Sequence, residues 1–338
     1  MHFTVRTIAA AAIALIAQSD PSRHQVRFVA VEPDVTLEMI DWGGSGQAVV
    51  LLAGSGNSGH VFDDFAPKLL DCCHVYAITR RGYGASSRPV DENRYGWQRL
   101  ADDVFQVIDQ GHIPKPVLIG HSMSGGEMTA VGHEHSDRLA GIVYLDALGD
   151  LEDDPPADKE WAALQAALPP GLHPSPTCPP LDRSTFAAYR RTLGCELGFM
   201  FPESELRNTF DENRDGSVGE VRVPGWVSRA IGQRQIFRRD YSNIHVPVLA
   251  LNNGFAPDAT TDDVLKTFRY EVKTPEERAA IDRFMARSNI VFGRWITKLK
   301  TGAPDARIVY YPNAGHFVWM TRQAEVLREI HTFIAALR

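Results

Sequence analysis

The sequence predicts an α/β protein with a mostly parallel central sheet that is flanked by helices and carries an inserted cap. Short apolar runs rich in β-branched residues alternate with helical patterns along most of the 338 residues, as in repeated strand–helix–strand units. The alternation stops between about residues 150 and 240, where prolines accumulate, and then resumes. A segment that leaves a sheet and returns to it is more simply explained as a cap than as an independent domain.

The predicted strands follow one another along the chain. QVRFVAV and VTLEMIDW, separated by Pro33 and Asp34, predict an opening hairpin. AVVLLAG, HVYAITR, PVLIGH and GIVYLDA predict four buried parallel strands, and VPVLALN and RIVYYPN complete the sheet after the cap.

Helical patterns connect these strands. They are predicted in an amphipathic C-terminal stretch and at residues 61–70, 95–110 and 123–135. Between the last two strands, Thr274, Pro275 and Glu277 form a capping box with proline at the first helical position. This start predicts a helix that runs to about Lys300.

The predicted organisation is a core of residues 26–149 and 241–338 with a cap of residues 150–240. Residues 1–18 resemble a secretory signal, because Arg6 precedes an apolar run that turns polar after Ala17. That run is too short for a stable membrane span. We therefore expect export to the periplasm or the medium, with a cytoplasmic location as the alternative.

The overall composition gives no support for a polyanionic partner. A net charge of -7 gives no general attraction for nucleic acid or for an anionic membrane. Cys178 and Cys195 could close a loop in an exported protein, and Cys72 and Cys73 are expected near the start of a strand. Four unpaired thiols are the alternative, and the oligomeric state is left open.

The segment PVLIGHSMSGGEM carries the clearest chemical signal. An apolar strand ends at Ser122 and leads directly into a helical pattern, which is the context of a nucleophilic serine on a strained strand-to-helix turn. The usual pattern is G-x-S-x-G, and Ser124 stands where the second glycine is common. Since serine is also small, we expect the turn to form, with Ser122 as the nucleophile.

A serine hydroxyl needs a base to remove its proton. His316 follows the last predicted strand and precedes the final helix, so it is expected at the same sheet edge as Ser122. His121 adjoins the nucleophile and should point away from it, and His133 and His135 fall on the following helix. His316 is therefore the predicted base.

From about Val26 onward the chain resembles the α/β-hydrolase superfamily. The resemblance is carried by AGSGN after the first parallel strand, RRGYGAS after the next, the GHSMS turn and AGHF before the terminal helix. It implies an oxyanion hole made by the backbone N–H groups of Ser55 and Met123. Many family members have His-Gly where this chain has Ala53-Gly54, so a supporting histidine side chain is absent here.

The acid that orients His316 is the open position. The resemblance implies an acid in the loop after the penultimate strand, where Asp258 lies slightly later than usual. Asp262 and Asp263 lie later still and are explained by helix capping. We call the strand-to-helix turn at Ser122 the elbow. Asp146, at the end of the strand after the elbow, is the favoured candidate because some related hydrolases carry their acid there. Asp258 is the alternative acid.

These features predict a carboxylic-ester hydrolase that acts on a small to medium-sized apolar ester through an acyl-enzyme on Ser122. Epoxide hydrolases and dehalogenases of the same fold use aspartate at the elbow, which argues against those activities. A thioesterase, an amidase, a carbon–carbon bond hydrolase and a ligand-binding protein without turnover are the alternatives. Aromatic and methionine side chains of the cap offer an apolar lining: Trp161, Phe186, Tyr189, Phe199, Met200, Phe201 and Trp226.

One segment resembles a metal site. Asp211–Gly216 matches the first half of a calcium-binding loop, but Arg222 stands at the twelfth position, where a bidentate glutamate is needed. A polar turn between cap strands is the better interpretation. No metal and no cofactor are expected.

Overall fold

The structure of the chain is a computed structural model that describes residues 24–149, 159–172, 176–233 and 239–337. The predicted secretory segment, residues 1–18, lies outside the described residues. No helix in these four ranges is both long enough and apolar enough to cross a membrane.

Ten strands occur in the described part of the chain. They are β1 (Gln25–Glu32), β2 (Val35–Gly44), β3 (Gln47–Leu52), β4 (Cys73–Ile78), β5 (Val117–His121), β6 (Gly141–Leu145), β7 (Phe210–Glu212), β8 (Val218–Val221), β9 (Val248–Asn253) and β10 (Arg307–Tyr311). Eight of them form one sheet in the order β1-β2-β4-β3-β5-β6-β9-β10. Only β2 pairs antiparallel with its neighbours in this sheet, so the predicted mostly parallel sheet with an opening hairpin is confirmed.

The helices of the described residues flank this sheet and fill the segment between β6 and β9. They are α1 (Trp97–Gln110), α2 (Ser124–His135), α3 (Lys159–Ala166), α4 (Phe186–Leu197), α5 (Glu203–Thr209), α6 (Gly225–Gln233), α7 (Thr261–Phe268), α8 (Pro275–Gly302), α9 (Val318–Thr321) and α10 (Gln323–Ala335). The start of α8 is as predicted, because the Thr274 side chain accepts a hydrogen bond from the Glu277 N–H and Pro275 opens the helix.

The helix predicted at residues 61–70 is wrong. The chain forms two separate 3-10 turns there, Gly59–Phe62 and Ala66–Leu69. The apolar side chains recur at helical spacing and are buried, which explains the prediction. Pro67 removes a donor that a continuous α-helix would need at this point, so the segment breaks into two short turns.

Both faces of the sheet are covered by apolar side chains. In β3, Val50 and Leu52 belong to the cluster that contains Val107 of α1, whereas Leu51 belongs to the cluster that contains Trp319 of α9. All of these side chains are buried. Each contributes about 1.5–3 kcal/mol relative to exposure to water. This two-sided core holds the strand ends that carry the candidate site.

We call the chain between β6 and β9, residues 146–247, the β6–β9 segment. Its described residues contain α3 to α6 and the β7–β8 hairpin, and none of its described strands joins the main sheet. This arrangement fits the predicted cap, whose boundaries at 150 and 240 stay a prediction. Within the segment, Cys178 and Cys195 form a disulfide, and Cys72 pairs with Cys73 at the start of β4.

The segment that resembles half of a calcium loop is a hairpin turn. The Asn213 N–H donates to the Ser217 carbonyl at 2.9 Å, and the Ser217 N–H donates to Asp215 at 3.0 Å. The turn joins β7 to β8. Its polar side chains therefore close a turn, as the sequence predicts.

Candidate active site

The residues selected from the sequence meet at one edge of the sheet. Ser55 follows β3, Ser122 follows β5, Asp146 follows β6 and His316 follows β10. These strands run parallel, so their carboxyl ends lie at the same edge. This edge is the usual location of a site in an open α/β sheet.

Ser122 occupies a backbone conformation that L-residues rarely adopt. Its φ is 55°, and its N–H donates to the Leu145 carbonyl at 3.2 Å. Ser124 supports the turn from the position where glycine is common, because its hydroxyl donates to the carbonyl of His121 at 2.9 Å. The chain thus forms the strained strand-to-helix turn that presents a side chain above the sheet edge.

Hydrogen bonds connect three of the predicted residues in a row. The distance from Ser122 Oγ to His316 Nε2 is 2.8 Å, and the distance from His316 Nδ1 to Asp146 Oδ2 is 2.6 Å. Among the described residues, Asp258 makes no hydrogen bond to His316 and instead lines a separate depression beside Lys266. The structure therefore brings Asp146, and not Asp258, to the imidazole.

Asn253 connects the loop that carries Asp146 with the loop that carries His316. This role was not predicted from the sequence. Its backbone N–H donates to Asp146 Oδ1 at 3.0 Å, and its side-chain Oδ1 accepts from the Gly315 N–H at 3.1 Å. Asn253 ends β9, where the resemblance implied the acid. The backbone N–H of Asn253, at the end of β9, thus orients Asp146, which follows the neighbouring strand β6.

The competing histidines lie where the sequence predicts. His121 is buried and its Nε2 faces the His316 carbonyl at 3.1 Å, with the two rings 4.4 Å apart. Burial, together with the adjacent His316, holds the pKa of His121 well below its usual range. His121 is therefore a neutral packing residue behind His316, and His133 and His135 lie on α2.

The loop that carries Ser55 is held against the elbow from the core side. Arg80 donates to the carbonyls of Ala53 at 2.9 Å and Gly54 at 3.3 Å, and it forms an ion pair with Glu127 of α2. A Cβ on Gly54 would lie 2.6 Å from His121 Nδ1, so only glycine permits this approach. Arg80 therefore anchors the loop that carries Ser55 to α2.

Glu205 of α5 holds the same loop from the other side. It is buried, and its carboxylate accepts hydrogen bonds from Asn57 Nδ2 at 2.9 Å and from the Ser58 N–H at 3.1 Å. Burial raises the pKa of Glu205 to about 7, although hydrogen bonds from Ser58 and Asn57 and the charge of His60 oppose the shift. Burial opposes protonation of His60, yet hydrogen bonds to Asp63 and Glu38 raise the pKa of His60 to about 10.

This arrangement predicts a pH-dependent stability. Because the pKa of Glu205 is higher in the folded than in the unfolded chain, its contribution is fully present below about pH 4.5 and is lost as the pH rises through about 7. The loss is at most about 3 kcal/mol. We expect Glu205→Gln to lose less free energy of unfolding than wild type between about pH 5 and about pH 8, as measured by urea denaturation.

Glu203→Gln, at a less buried position of the same helix, is the matched control and should follow the wild-type pH dependence. A glutamine at 205 can still accept from Asn57 and donate to the Ser58 hydroxyl, so the comparison isolates the ionisable group. An unchanged pH dependence in Glu205→Gln would show that Glu205 does not titrate in this range.

A cavity of about 460 Å³ opens over Ser122. Its lining includes Ser55, Met123 and His316, and its apolar walls are mainly aromatic. The aromatic lining residues are Trp97, Phe255, Phe292, Trp295 and Tyr310. A cavity of this size and composition suits a small organic molecule.

The aromatic lining predicted from the cap is wrong. None of the seven predicted side chains is among the described residues that line the cavity. Phe186 and Tyr189 pack in a cluster inside the β6–β9 segment, and the rings of Phe199 and Phe201 contact Phe317 in tilted and edge-to-face arrangements. Helix α8 instead contributes Phe292, Trp295 and Ile296 to the wall.

Two groups of described residues bring three ligand-type atoms close together. They are His24, His60 and Asp63, and Asp71, Cys72 and His331. In the first group His60 already bonds to Asp63, and in the second Cys72 is paired with Cys73. Neither group contributes a residue to the cavity lining, so neither enters the chemistry described below.

The family model for the alpha/beta hydrolase family matches residues 49–329. This match covers most of the chain, so the protein belongs to the alpha/beta hydrolase family. The sheet order, the elbow and the strand-end residues described above are consistent with that membership.

Individual relatives are hydrolases of several kinds. The chain is 30% identical over 118 residues to a fluoroacetate dehalogenase from Burkholderia sp, a match that spans 34% of this chain and 38% of that protein. Among solved structures, E-2-(acetamidomethylene)succinate hydrolase has a TM-score of 0.62 at 18% identity and covers 93% of this chain and all of its own. A marine microorganism esterase has a TM-score of 0.56 at 21% identity and covers 89% of this chain and 99% of its own. These structural likenesses show the fold.

Proposed function

We propose that the protein is a serine hydrolase that cleaves a carboxylic ester through an acyl-enzyme on Ser122. The single observation that carries this proposal is the hydrogen-bonded row of Ser122, His316 and Asp146, with distances of 2.8 and 2.6 Å. Such a row activates a hydroxyl that is otherwise a poor nucleophile.

In the first half of the reaction, His316 Nε2 accepts the Ser122 proton while Oγ attacks the carbonyl carbon of the ester. The carbonyl oxygen becomes negative and is placed to accept hydrogen bonds from the backbone N–H groups of Ser55 and Met123, which both line the cavity. The carbon–oxygen bond of the ester then breaks. The proton on His316 passes to the departing alkoxide, which leaves as the alcohol.

Water completes the cycle. His316 removes a proton from a water molecule, the resulting hydroxide attacks the acyl carbon, and the proton returns to Ser122 Oγ as the acid leaves. Asp146 holds the imidazole with Nδ1 protonated and stabilises the imidazolium of each half-reaction. The Asn253 N–H holds Asp146, and Arg80 holds the carbonyl of Ala53 in the loop that carries Ser55, so these groups are positioned before substrate binds.

The serine also separates this chain from the dehalogenase that it resembles in part. The resemblance implies an aspartate nucleophile for dehalogenases and epoxide hydrolases, which forms an ester with the substrate carbon. Ser122 stands at that position here. An alcohol nucleophile paired with a base is suited to attack on an acyl carbon, which favours acyl transfer over those activities. We infer that the β6–β9 segment acts as the cap over this site.

A phosphonate serine probe tests the proposal directly. We expect one covalent adduct per chain in wild type, located at Ser122 by peptide mass spectrometry, and none in Ser122→Ala. Ser45→Ala, at an exposed serine outside the cavity, is the control and should still be labelled. A folded wild-type protein that takes up no probe would contradict the nucleophile assignment, whereas labelling without ester turnover would favour another acyl substrate.

A further inference from the structure

Arg239 is a buried cation in the wall of the candidate active site. Its side chain is only 7% exposed, and it lies with Ser122 and Asp146 among the residues that line the cavity. Its Nη1 donates to the carbonyl of Ala147. No carboxylate in the described ranges lies within ion-pair distance of its guanidinium.

The lack of a carboxylate partner among the described residues distinguishes Arg239 from Arg80 and Arg81, which are also buried. Arg80 pairs with Glu127, and Arg81 pairs with Asp103. A guanidinium keeps its charge in proteins and has five N–H donors. Burial of a charge is costly unless the charge is paired and its hydrogen bonds are made. The donors that Arg239 does not use toward Ala147 therefore require a partner that the described residues do not supply.

The guanidinium lies close to the reacting residues. A Cβ on Gly125, three residues after Ser122, would lie 2.7 Å from Nη1 of Arg239, so the side chain packs against the first turn of α2. Asp146, the carboxylate of the lining, bonds to His316 and makes no ion pair with the guanidinium. Arg239 is thus a cation of the lining that no described carboxylate pairs with, and the N-terminal end of α2 adds a positive partial charge nearby.

We propose that the substrate carries a carboxylate in addition to its scissile ester, and that Arg239 binds this carboxylate. The inference rests on the proposed function, because it concerns what Ser122 acts on. A carboxylate matches the single positive charge and the forked donors of a guanidinium. A phosphate dianion carries one negative charge more than a single guanidinium balances. Trp295 and Phe292 of α8 then contact the apolar part of the same molecule.

Matched substrate pairs test this specificity. One series consists of 4-nitrophenyl monoesters of adipic, pimelic and suberic acid, each compared with the neutral analogue in which a primary amide replaces the far carboxylate. A second pair, 4-acetoxybenzoate and 4-acetoxybenzamide, places the charge on the leaving group. We expect wild type to prefer the charged member of at least one pair. Arg239→Met should lower the charged-to-neutral ratio of kcat/KM roughly 10- to 100-fold, mainly through KM.

Two further variants separate recognition from structure. Arg239→Lys keeps the charge without the fork and should retain part of the preference. Arg229→Met removes an exposed arginine of α6 and should leave the ratio unchanged. If Arg239 serves only to hold the Ala147 carbonyl, Arg239→Met will slow both members of each pair equally. That outcome, or the absence of any charge preference in wild type, overturns the proposal, and the ratio does not depend on how much of the protein folds.

Binding to inactive protein separates a failure of this inference from a failure of the proposed function. Ser122→Ala should bind the charged member of a pair more tightly than the neutral one in calorimetry, and Ser122→Ala/Arg239→Met should not. Ester turnover that does not depend on Arg239 leaves the serine chemistry intact and rejects carboxylate recognition. Binding that depends on Arg239 in a protein that is neither labelled at Ser122 nor active on esters rejects the serine chemistry instead. Absence of both rejects the inference.

Discussion

Replacing Asp146 by asparagine should lower kcat for ester hydrolysis by about four orders of magnitude, whereas Asp258→Asn should stay within about twofold of wild type. The reason lies in the 2.6 Å contact between Asp146 Oδ2 and His316 Nδ1. An asparagine can present its N–H₂ group to Nδ1 and so favours the tautomer in which Nε2 carries the proton. Nε2 then cannot accept the Ser122 proton.

The measurement is steady-state hydrolysis of 4-nitrophenyl esters of increasing chain length. Ser122→Ala sets the background, because loss of the nucleophile removes about six orders of magnitude in a serine hydrolase. Asp146→Asn should unfold at nearly the wild-type temperature, since the Asn253 N–H can still donate to the side-chain oxygen. A larger loss in Asp258→Asn than in Asp146→Asn would transfer the acid role to the loop after β9.

Glu127→Ala should lower the free energy of unfolding by about 3–5 kcal/mol. Glu127 and Arg80 are both buried, and Glu127 is the carboxylate that the structure pairs with Arg80 in the described chain. Without it, a guanidinium stays in the protein interior with no counter-charge. The carbonyls of Ala53 and Gly54 accept from this guanidinium, so the loop that carries Ser55 should loosen as well.

Urea denaturation measures the loss of free energy of unfolding, and the m-value should be the same in wild type and variant. Glu134→Ala, at the exposed end of the same helix, should cost less than about 0.5 kcal/mol. The double variant Arg80→Met/Glu127→Leu should regain most of the stability, because apolar residues often replace a buried ion pair without loss. It should not regain full activity, since the loop carbonyls lose their donor. Stability that does not recover would mean that packing, rather than charge, dominates at this position.

Sequence reasoning succeeded where local pattern and topology act together. Apolar runs bounded by turn residues predict all eight strands of the main sheet in chain order, the opening hairpin as well as the parallel strands. Ser122 follows β5 directly, and His316 lies in the loop after β10. Since parallel strands end at one edge, their proximity could be predicted without knowing the sheet order.

The acid could not be assigned in the same way. β6 and β9 are neighbours in the sheet, with Leu145 opposite Leu251, so the loops after both strands end beside the imidazole. Local backbone conformation determines which of the two loops brings a carboxylate to His316. Asp146 has a φ of 46° directly after β6 and turns its carboxylate toward the Asn253 N–H. No spacing rule in the sequence encodes that conformation.

The burial of Arg239 and Glu205 could not be predicted from the sequence, for a different reason. Each is a single charged residue without a recognisable motif, and charged residues are usually exposed. Their burial depends on how the β6–β9 segment folds over the core. The same dependence explains why the aromatic lining was predicted from the wrong residues. Helix α8 lies between the last two strands, and its contribution to the cavity follows only from the packing of the complete chain.

The hydrogen-bonded row of the site also limits how early in folding the candidate active site can form. Ser122 and His316 are 194 residues apart in sequence, and Asp146 and His316 are 170 residues apart. Contacts between such distant residues are slow to form because long loops must close first. The row requires β10, the strand at the far edge of the sheet, to be in place. If the proposed function holds, recovery of activity during refolding should follow the pairing of β10 with β9, and a chain that lacks β10 should be inactive.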